Sequence, residues 1–257
     1  MDLGLKGKVA LVTGASGGIG EAIAMDLARE GVNLSLCYRS RGCDGLLSEI
    51  RELGNEVVAF QADLSMSDEV RGLARRTFET YGRIDILVNN AGTGLRGPVE
   101  GMREEDWDRI MAVNLKSVFL LSQAVVQYMK KNRWGRIINI GSGVAKTGTN
   151  AQPWIDPGTS NLSSGAAYVA SKAGVHALTK TLAKEVAAFG ITVNCVAPGP
   201  IKTPMISAFP DFIKNQVPLL RLGSPKEVSA FVVMLASENA GYVTGEIVDV
   251  NGGLWMD

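Results

Sequence analysis

The chain of 257 residues is 46% hydrophobic and 20% charged, which is enough apolar material for a large buried core. Its 26 basic and 26 acidic residues cancel, which argues against nucleic acid or an acidic membrane as the main partner. No apolar run approaches the roughly 18 residues of a membrane span, and the N-terminal apolar stretch is too short for a signal peptide. Cys37, Cys43 and Cys195 are an odd number without C-x-x-C or metal-site spacing. We therefore expect a cytoplasmic protein with reduced thiols and no metal.

Short, almost wholly apolar segments alternate with amphipathic segments along the chain. The predicted strands are 8–13, 32–37, 56–61, 85–89, 135–141, 191–196 and 246–250. The predicted helices are 19–30, 43–53, 66–81, 103–131, 166–189 and 225–236. Apolar strands separated by helices are typical of a parallel sheet covered on both faces. The sequence therefore predicts a single α/β domain over 1–257, a Rossmann-type doubly wound parallel sheet of seven strands with helices on both faces.

Two long segments, 143–165 and 199–223, interrupt this alternation. Each follows the carboxyl end of a predicted strand, where open α/β sheets bind ligands, so we expect substrate loops there. The apolar side chains of the second segment form either a lid over the substrate or a small satellite core: Met205, Ile206, Phe209 and Phe212.

A glycine-rich turn, TGASGGIG at 13–20, connects the first predicted strand to the first predicted helix. Gly14 permits a tight turn, Gly18 lets the main chain approach a pyrophosphate, and Gly20 permits close helix–strand packing. The helix N-terminus adds free N–H groups and a positive dipole end, so the turn favours a dinucleotide. The other candidate contacts in this turn are Ser16, Gly17 and Ile19.

The same turn also matches G-x-S-x-G, the nucleophile elbow of hydrolases, with Ser16 as the nucleophile. That hypothesis needs a later histidine, and the chain has one, His176. It also needs an oxyanion loop after an earlier strand, and only a dozen residues precede the glycines. A serine hydrolase is therefore a remote alternative, and we interpret His176 as a packing or surface residue.

The segment after the second predicted strand distinguishes the two nicotinamide cofactors. No acidic residue that could bond the ribose hydroxyls of NAD(H) occurs at 31–43, whereas Arg39 and Arg41 are suited to the 2′-phosphate of NADP(H). NADP(H) is therefore favoured, with NAD(H) as the alternative, and Ser40 is a further candidate contact. Asp63, followed by Leu64, either bonds the adenine amine or caps the next helix.

Tyr168 and Lys172 lie four residues apart near the start of a predicted helix, on one face. A free tyrosine has a pKa of about 10, and a nearby ammonium favours the phenolate. We therefore expect Lys172 to lower the Tyr168 pKa, so that Tyr168 exchanges a proton with a carbonyl or alcohol oxygen.

Further polar or small residues follow the strand ends. Ser142 ends the fifth strand, where its hydroxyl can bond a substrate oxygen, and Asn114 lies inside a helix, where it is a candidate for holding a proton-carrying water. NNAG at 89–92 allows close approach to a flat cofactor, and PGPIKT at 198–203 can lie against the nicotinamide carboxamide. The candidate contacts here are Asn90, Ala91, Gly92, Pro198, Gly199, Ile201 and Thr203.

The order TGASGGIG, NNAG, Asn114, Ser142, YVASK and PGPIKT resembles the short-chain dehydrogenase/reductase family along the whole chain. The resemblance implies a catalytic set of Asn114, Ser142, Tyr168 and Lys172. Tyr168 is then the acid/base, and Lys172 holds the cofactor ribose and lowers the tyrosine pKa. Ser142 then positions the substrate oxygen, and Asn114 anchors a water. It also implies NAD(H) or NADP(H) without metal, and a homotetramer.

Within that family, MKKNRWGRIINIGS and TGEIVDVNGG are similar to the 3-oxoacyl-acyl-carrier-protein reductases, which implies NADP(H)-dependent reduction of a 3-oxoacyl thioester or similar ketone. Two features depart from that subgroup. Ser142 and Tyr168 are separated by 25 residues, about twice the usual interval, and Phe189 replaces a basic residue of the carrier-docking surface, although Lys130, Lys131 and Arg133 remain.

These departures leave other functions open. A CoA thioester is an alternative substrate, and an NAD(P)-dependent dehydrogenase of a small alcohol or sugar is the alternative enzyme. A cofactor-binding scaffold without turnover is a third hypothesis. The extra length between Ser142 and Tyr168 contains Trp154, Ile155 and Asp156, which we expect to form a wall of the substrate pocket or a tolerated surface excursion.

Overall fold

Seven strands form one parallel sheet, because their side chains are apolar on both faces and both faces are covered by helices. The structure, a computed structural model, describes residues 1–94, 99–148, 165–203 and 211–256. The strands are β1 (Val9–Thr13), β2 (Asn33–Tyr38), β3 (Val57–Gln61), β4 (Ile86–Asn89), β5 (Gly135–Ile140), β6 (Ile191–Pro198) and β7 (Ile247–Val250).

The strand order is β3-β2-β1-β4-β5-β6-β7, and every neighbouring pair is parallel. Strand β1 pairs with β2 on one side and β4 on the other, so the chain direction across the sheet reverses there. A crevice at the carboxyl ends of the strands is expected beside such a reversal. The predicted doubly wound, seven-stranded sheet is confirmed.

Helices cover both faces of the sheet. They are α1 (Gly18–Arg29), α2 (Asp44–Glu52), α3 (Ser67–Tyr81), α4 (Glu104–Met111), α5 (Ser117–Asn132), α6 (Val144–Thr147), α7 (Ala166–Val186), α8 (Asp211–Gln216) and α9 (Pro225–Ala236). Helices α1 and α9 pack against each other on one face, and α3 packs against α5 on the other, beside α7. Each face has its own apolar core, one including Leu27 and Val232 and the other Leu121 and Val193.

The sequence prediction and the structure differ in three segments. The helix predicted over 103–131 contains a π-helical turn at Ala112–Lys116 between α4 and α5. The segments predicted as loops at 143–165 and 199–223 contain the short helices α6 and α8. Helices of four and six residues are too short for a 3.6-residue pattern to reveal them.

Several predicted features lie outside the described residues. These include the proposed pocket wall with Trp154, Ile155 and Asp156, and the lid residues Met205, Ile206 and Phe209, while for Phe212 the side chain is not described. The predictions made for them stay predictions.

In the described part of the chain, one helical stretch, Glu104–Asn132, is long and apolar enough to cross a membrane by length and composition alone. The stretch contains polar residues such as Asn114, Lys116 and Gln123, so it is not the uninterrupted apolar run that the sequence prediction excluded. Half of its most apolar window is buried inside the fold. A core helix that packs Leu120, Leu121 and Val125 against the sheet passes the same test.

Candidate active site

A cleft of about 560 Å³ opens at the carboxyl ends of the strands, in the size range of roughly 300–1,000 Å³ typical of ligand pockets. Every residue predicted to contact a cofactor lines it: Gly14, Ser16, Gly17, Gly18, Ile19, Gly20, Arg39, Ser40, Asp63, Leu64, Asn90, Ala91, Gly92, Tyr168, Lys172, Pro198, Gly199, Ile201 and Thr203. Sequence reasoning missed Tyr38, Thr93, Val113 and Gly141, which also line it. Each of these four residues lies next to a predicted motif residue in the chain, and this adjacency could have identified it as part of the cleft.

The glycine turn fits a pyrophosphate. Gly14 and Gly18 have φ values of +66° and +58°, which favour glycine. A Cβ on Gly20 would overlap the Gly14 carbonyl oxygen, so α1 meets the turn at main-chain distance. The N-terminus of α1 has no side-chain cap, which leaves N–H groups of its first turn available to an anion.

The side of the cleft beyond β2 carries the positive charge expected for a 2′-phosphate. Arg39 and Arg41 are exposed and line the cleft, and neither forms an ion pair in the described part of the chain, although the Arg39 charge also acts on Asp63. Gln61 donates a hydrogen bond of 2.8 Å to the Arg39 carbonyl, which holds the main chain there.

Asp63 lines the same end of the cleft, but its carboxylate accepts hydrogen bonds from a residue nearby in the chain. Its Oδ1 accepts hydrogen bonds from the main-chain N–H and the hydroxyl of Ser65, at 2.9 and 2.7 Å. These bonds, chiefly, hold the pKa of the Asp63 carboxyl below its ordinary value. Asp63 therefore stabilises the turn before α3 but does not cap that helix, whose N-cap residue, Met66, has no side-chain cap, so the predicted helix cap was wrong. Its contact with an adenine stays a prediction.

Tyr168, Lys172 and Ser142 meet at the centre of the cleft. The Ser142 hydroxyl lies beside the Tyr168 phenol and acts on its pKa as a hydrogen-bonding group. The Lys172 ammonium donates a hydrogen bond of 2.6 Å to the Ile140 carbonyl and lies 5.9 Å from the Tyr168 ring centroid. The sequence therefore identified three side chains that the fold brings together from β5 and α7.

The structure does not show the predicted lowering of the Tyr168 pKa by Lys172. Burial raises the pKa of Tyr168, and the hydrogen bond from Ser142 offsets only part of that effect. Burial also lowers the pKa of Lys172 to about 8. The expectation of a lowered tyrosine pKa was wrong for this structure, because spacing along a helix does not report desolvation.

Asn114 lies apart from the cleft surface, fully buried in the π-helical turn. Its amide oxygen accepts from the Thr93 N–H at 2.8 Å, and its amide nitrogen donates to the Thr93 carbonyl and the Ser171 hydroxyl. Both amide protons are therefore used in tying the segment after β4 to α7. The predicted role in holding a water stays a prediction.

His176 lies one helical turn beyond Lys172, 8% exposed, and is buried as the packing interpretation expects. Its ring packs against Gly141 and near Cys195. Burial, followed by the charges of Lys146 and Lys172, lowers the pKa of His176 from 6.5 to about 4. The ring is therefore neutral over the physiological pH range.

We expect lowering the pH from 7 to 5 to cost about 2 kcal/mol of unfolding free energy through His176 alone. The unfolded imidazole takes up a proton near pH 6.5 and the folded one near pH 4, so between these values the unfolded state binds more protons. Urea unfolding of the wild type and of His176→Gln at both pH values tests this expectation. The loss of unfolding free energy between pH 7 and pH 5 should be about 2 kcal/mol larger in the wild type than in the variant. Identical pH dependences would contradict the prediction.

The structure gives the serine hydrolase hypothesis no support. Ser16 follows β1, the first strand, so no earlier strand supplies an oxyanion loop. Within the described ranges His176 makes no hydrogen bond to Ser16 and instead packs against Gly141, the residue after β5.

Known proteins resemble this chain over nearly its whole length. A profile of the family described as Enoyl-(Acyl carrier protein) reductase matches residues 14–255. The 3-oxoacyl-[acyl-carrier-protein] reductase FabG of Thermotoga maritima is 41% identical, over 97% of this chain and 98% of its own. The FabG of Vibrio cholerae is 42% identical, over 99% of this chain and 100% of its own.

A solved structure agrees with these relatives. A double mutant of a short-chain dehydrogenase/reductase from Serratia marcescens superimposes with a TM-score of 0.89 and 35% identity, covering 97% of this chain and 98% of that one. The matched profile and these relatives leave one conclusion: the chain belongs to the short-chain dehydrogenase/reductase family of NAD(P)-dependent oxidoreductases.

Proposed function

We propose that the protein reduces a ketone to a secondary alcohol with NADPH, and that its substrate is a 3-oxoacyl thioester. The observation that carries the proposal is that the Tyr168 and Ser142 hydroxyls and the buried Lys172 ammonium lie together in one cleft with a glycine turn. The relatives named 3-oxoacyl-[acyl-carrier-protein] reductase support the substrate class.

The bound nicotinamide supplies the hydride, and the protein supplies geometry and a proton. Tyr168 donates its phenolic proton to the ketone oxygen, because burial keeps the phenol protonated at neutral pH. Ser142 donates a hydrogen bond to the same oxygen and orients it. Lys172 can hold the cofactor ribose and keeps positive charge near the phenol as negative charge develops.

Basic side chains near the end of α5 provide a docking surface for the acyl carrier. Lys130 places its ammonium 4.3 Å from the centroid of the Phe189 ring, where the carrier-protein reductases have a basic residue. Arg133 is tied to the Ala188 carbonyl at 3.0 Å. Two cationic side chains therefore remain beside Phe189, which supports an acidic carrier despite the substitution.

The proposal is tested by following NADPH oxidation with 3-oxoacyl thioesters of the acyl carrier protein and of CoA, beside a panel of small ketones, alcohols and sugars. Turnover of the thioesters with the higher kcat/KM supports it. Turnover confined to small alcohols or sugars would instead identify the dehydrogenase alternative, and cofactor binding without turnover would identify a scaffold.

Arg39→Ala is expected to weaken NADPH binding by about 10- to 100-fold while NADH binding changes little, because a charge-assisted hydrogen bond to the 2′-phosphate is worth about 1.5–3 kcal/mol. Fluorescence titration with both cofactors measures the ratio, and Arg51→Ala, an exposed arginine outside the cleft, is the control. Equal losses for both cofactors, or stronger NADH binding by the wild type, would remove Arg39 from the phosphate site.

We also propose a single-domain, cytoplasmic homotetramer. The continuous sheet from Val9 to Val250 supports one domain, and the three buried free cysteines support a reducing compartment. Zero net charge and the partly exposed Trp107 and Phe119 of α4 and α5 favour self-association. Light scattering on the purified protein measures the oligomeric state.

A further inference from the structure

One face of helix α7 presents three side chains to the end of strand β5. Tyr168, Lys172 and His176 follow one another at intervals of four residues and therefore lie on the same helix face. Tyr168 lies beside the Ser142 hydroxyl, and Lys172 donates to the Ile140 carbonyl. His176 contacts the residue between those two, Gly141, and has no part in the reaction proposed above.

The contact between His176 and Gly141 is direct. A Cβ on Gly141 would overlap Nε2 of the His176 ring and would lie 2.6 Å from the Cys195 sulfur. The ring and the thiol therefore lie against the glycine main chain itself. Among the described residues Nε2 has no hydrogen-bond partner, so packing against this main chain is what the ring contributes here.

The main chain around Ser142 is fixed from two directions. The Gly141 N–H donates to the Val196 carbonyl at 2.8 Å, and the Gly143 N–H donates to the Pro198 carbonyl at 3.1 Å. These bonds fix the chain toward β6, within the plane of the sheet. The His176 ring supports the chain from the α7 face, one residue beyond the Ile140 carbonyl to which Lys172 of the same helix donates.

We propose that His176 is a positioning residue: its ring holds the Gly141 main chain so that the Ser142 hydroxyl stays within hydrogen-bonding distance of Tyr168. The inference rests on the proposed function, since it gives His176 a task in the same site. It also explains the use of glycine at 141, where a side chain would displace the ring.

The charges around the ring require it to stay neutral. Besides burial, Lys146 of α6 and Lys172 and Lys180 of α7 disfavour the protonated ring; in the described part of the chain the acidic side chain that acts on it is Asp249 of β7, paired with Lys146 at 2.7 Å. The buried thiol of Cys195 on β6 is a further titratable group beside Gly141 among the described residues. Protonation would thus add an imidazolium charge beside these ammonium groups, which would push the ring off Gly141.

The first test is a double-mutant cycle with Ser142→Ala, measuring ketone reduction with NADPH. His176→Ala is expected to lower kcat at least about tenfold with little change in the KM for NADPH, and His176→Gln, a planar side chain of similar length, to recover part of it. In the Ser142→Ala background the same change should have almost no further effect, because His176 acts through Ser142. An equal loss in both backgrounds would overturn the proposal.

The second test needs no turnover. Hydrogen–deuterium exchange of a peptide containing Gly141–Gly143 is expected to be at least about tenfold faster in His176→Ala and unchanged in Val175→Ala, a buried neighbour on α7. Unchanged exchange in His176→Ala would overturn the positioning role. If the wild type reduces no ketone, the proposed function fails, and this exchange rate alone decides the inference.

Discussion

Tyr168→Phe is expected to lower kcat for ketone reduction by about 10³-fold, while NADPH binding changes by no more than about twofold. The substitution keeps the ring, which packs beside Gly94, and removes the hydroxyl that lies beside Ser142. Stopped-flow and steady-state kinetics give kcat, and fluorescence titration gives the cofactor affinity.

The control for this variant is Tyr81→Phe. The Tyr81 hydroxyl donates a hydrogen bond of 2.9 Å to the Leu34 carbonyl, outside the cleft. That variant is expected to lose about 1 kcal/mol of stability and to keep its kcat. A Tyr168→Phe enzyme with more than about a tenth of wild-type kcat would mean that another group donates the proton.

The raised pKa of Tyr168 predicts opposite pH dependences for ketone reduction and alcohol oxidation. Burial raises the pKa of Tyr168, so the phenol is protonated at neutral pH and ready to donate in reduction. Alcohol oxidation needs the phenolate, so its rate should still be rising as the pH passes about 10. An oxidation rate that is already independent of pH near neutrality would show that binding of cofactor and substrate lowers the Tyr168 pKa.

Gly20→Ala is expected to weaken NADPH binding at least about 100-fold, the equivalent of losing one or two charge-assisted hydrogen bonds of about 1.5–3 kcal/mol. The added Cβ would overlap the Gly14 carbonyl oxygen and lie 2.8 Å from its carbon. Main-chain atoms cannot rotate away, so the turn between β1 and α1 must open. Overpacking of this kind also costs about 1–3 kcal/mol of stability.

The matched control is Gly72→Ala, in the middle of α3, where an added Cβ meets nothing within 4 Å. Removing a glycine from a helix interior should raise the unfolding free energy by roughly 0.5–1 kcal/mol and leave cofactor binding unchanged. Urea unfolding and cofactor titration on both variants separate the two effects. Normal NADPH affinity in Gly20→Ala would show that the turn does not cradle the phosphates.

The sheet could be predicted because parallel strands buried on both faces are apolar at nearly every position. The fifth strand, predicted at 135–141, is Gly135–Ile140, and the sixth, predicted at 191–196, extends to Pro198. The π-helical turn at Ala112–Lys116 could not be predicted, since Asn114 weakens a helix without indicating which hydrogen-bond pattern replaces it.

The sequence by itself determined the alternation of strands and helices, and with it the edge of the sheet at which the motif residues gather, because the carboxyl ends of parallel strands lie together. Tertiary packing alone decided three features of the site. It directs Lys172 to the Ile140 carbonyl, seats His176 against Gly141, and raises rather than lowers the pKa of Tyr168. Each depends on desolvation or on contact between residues distant in the chain, and neither property is contained in local spacing.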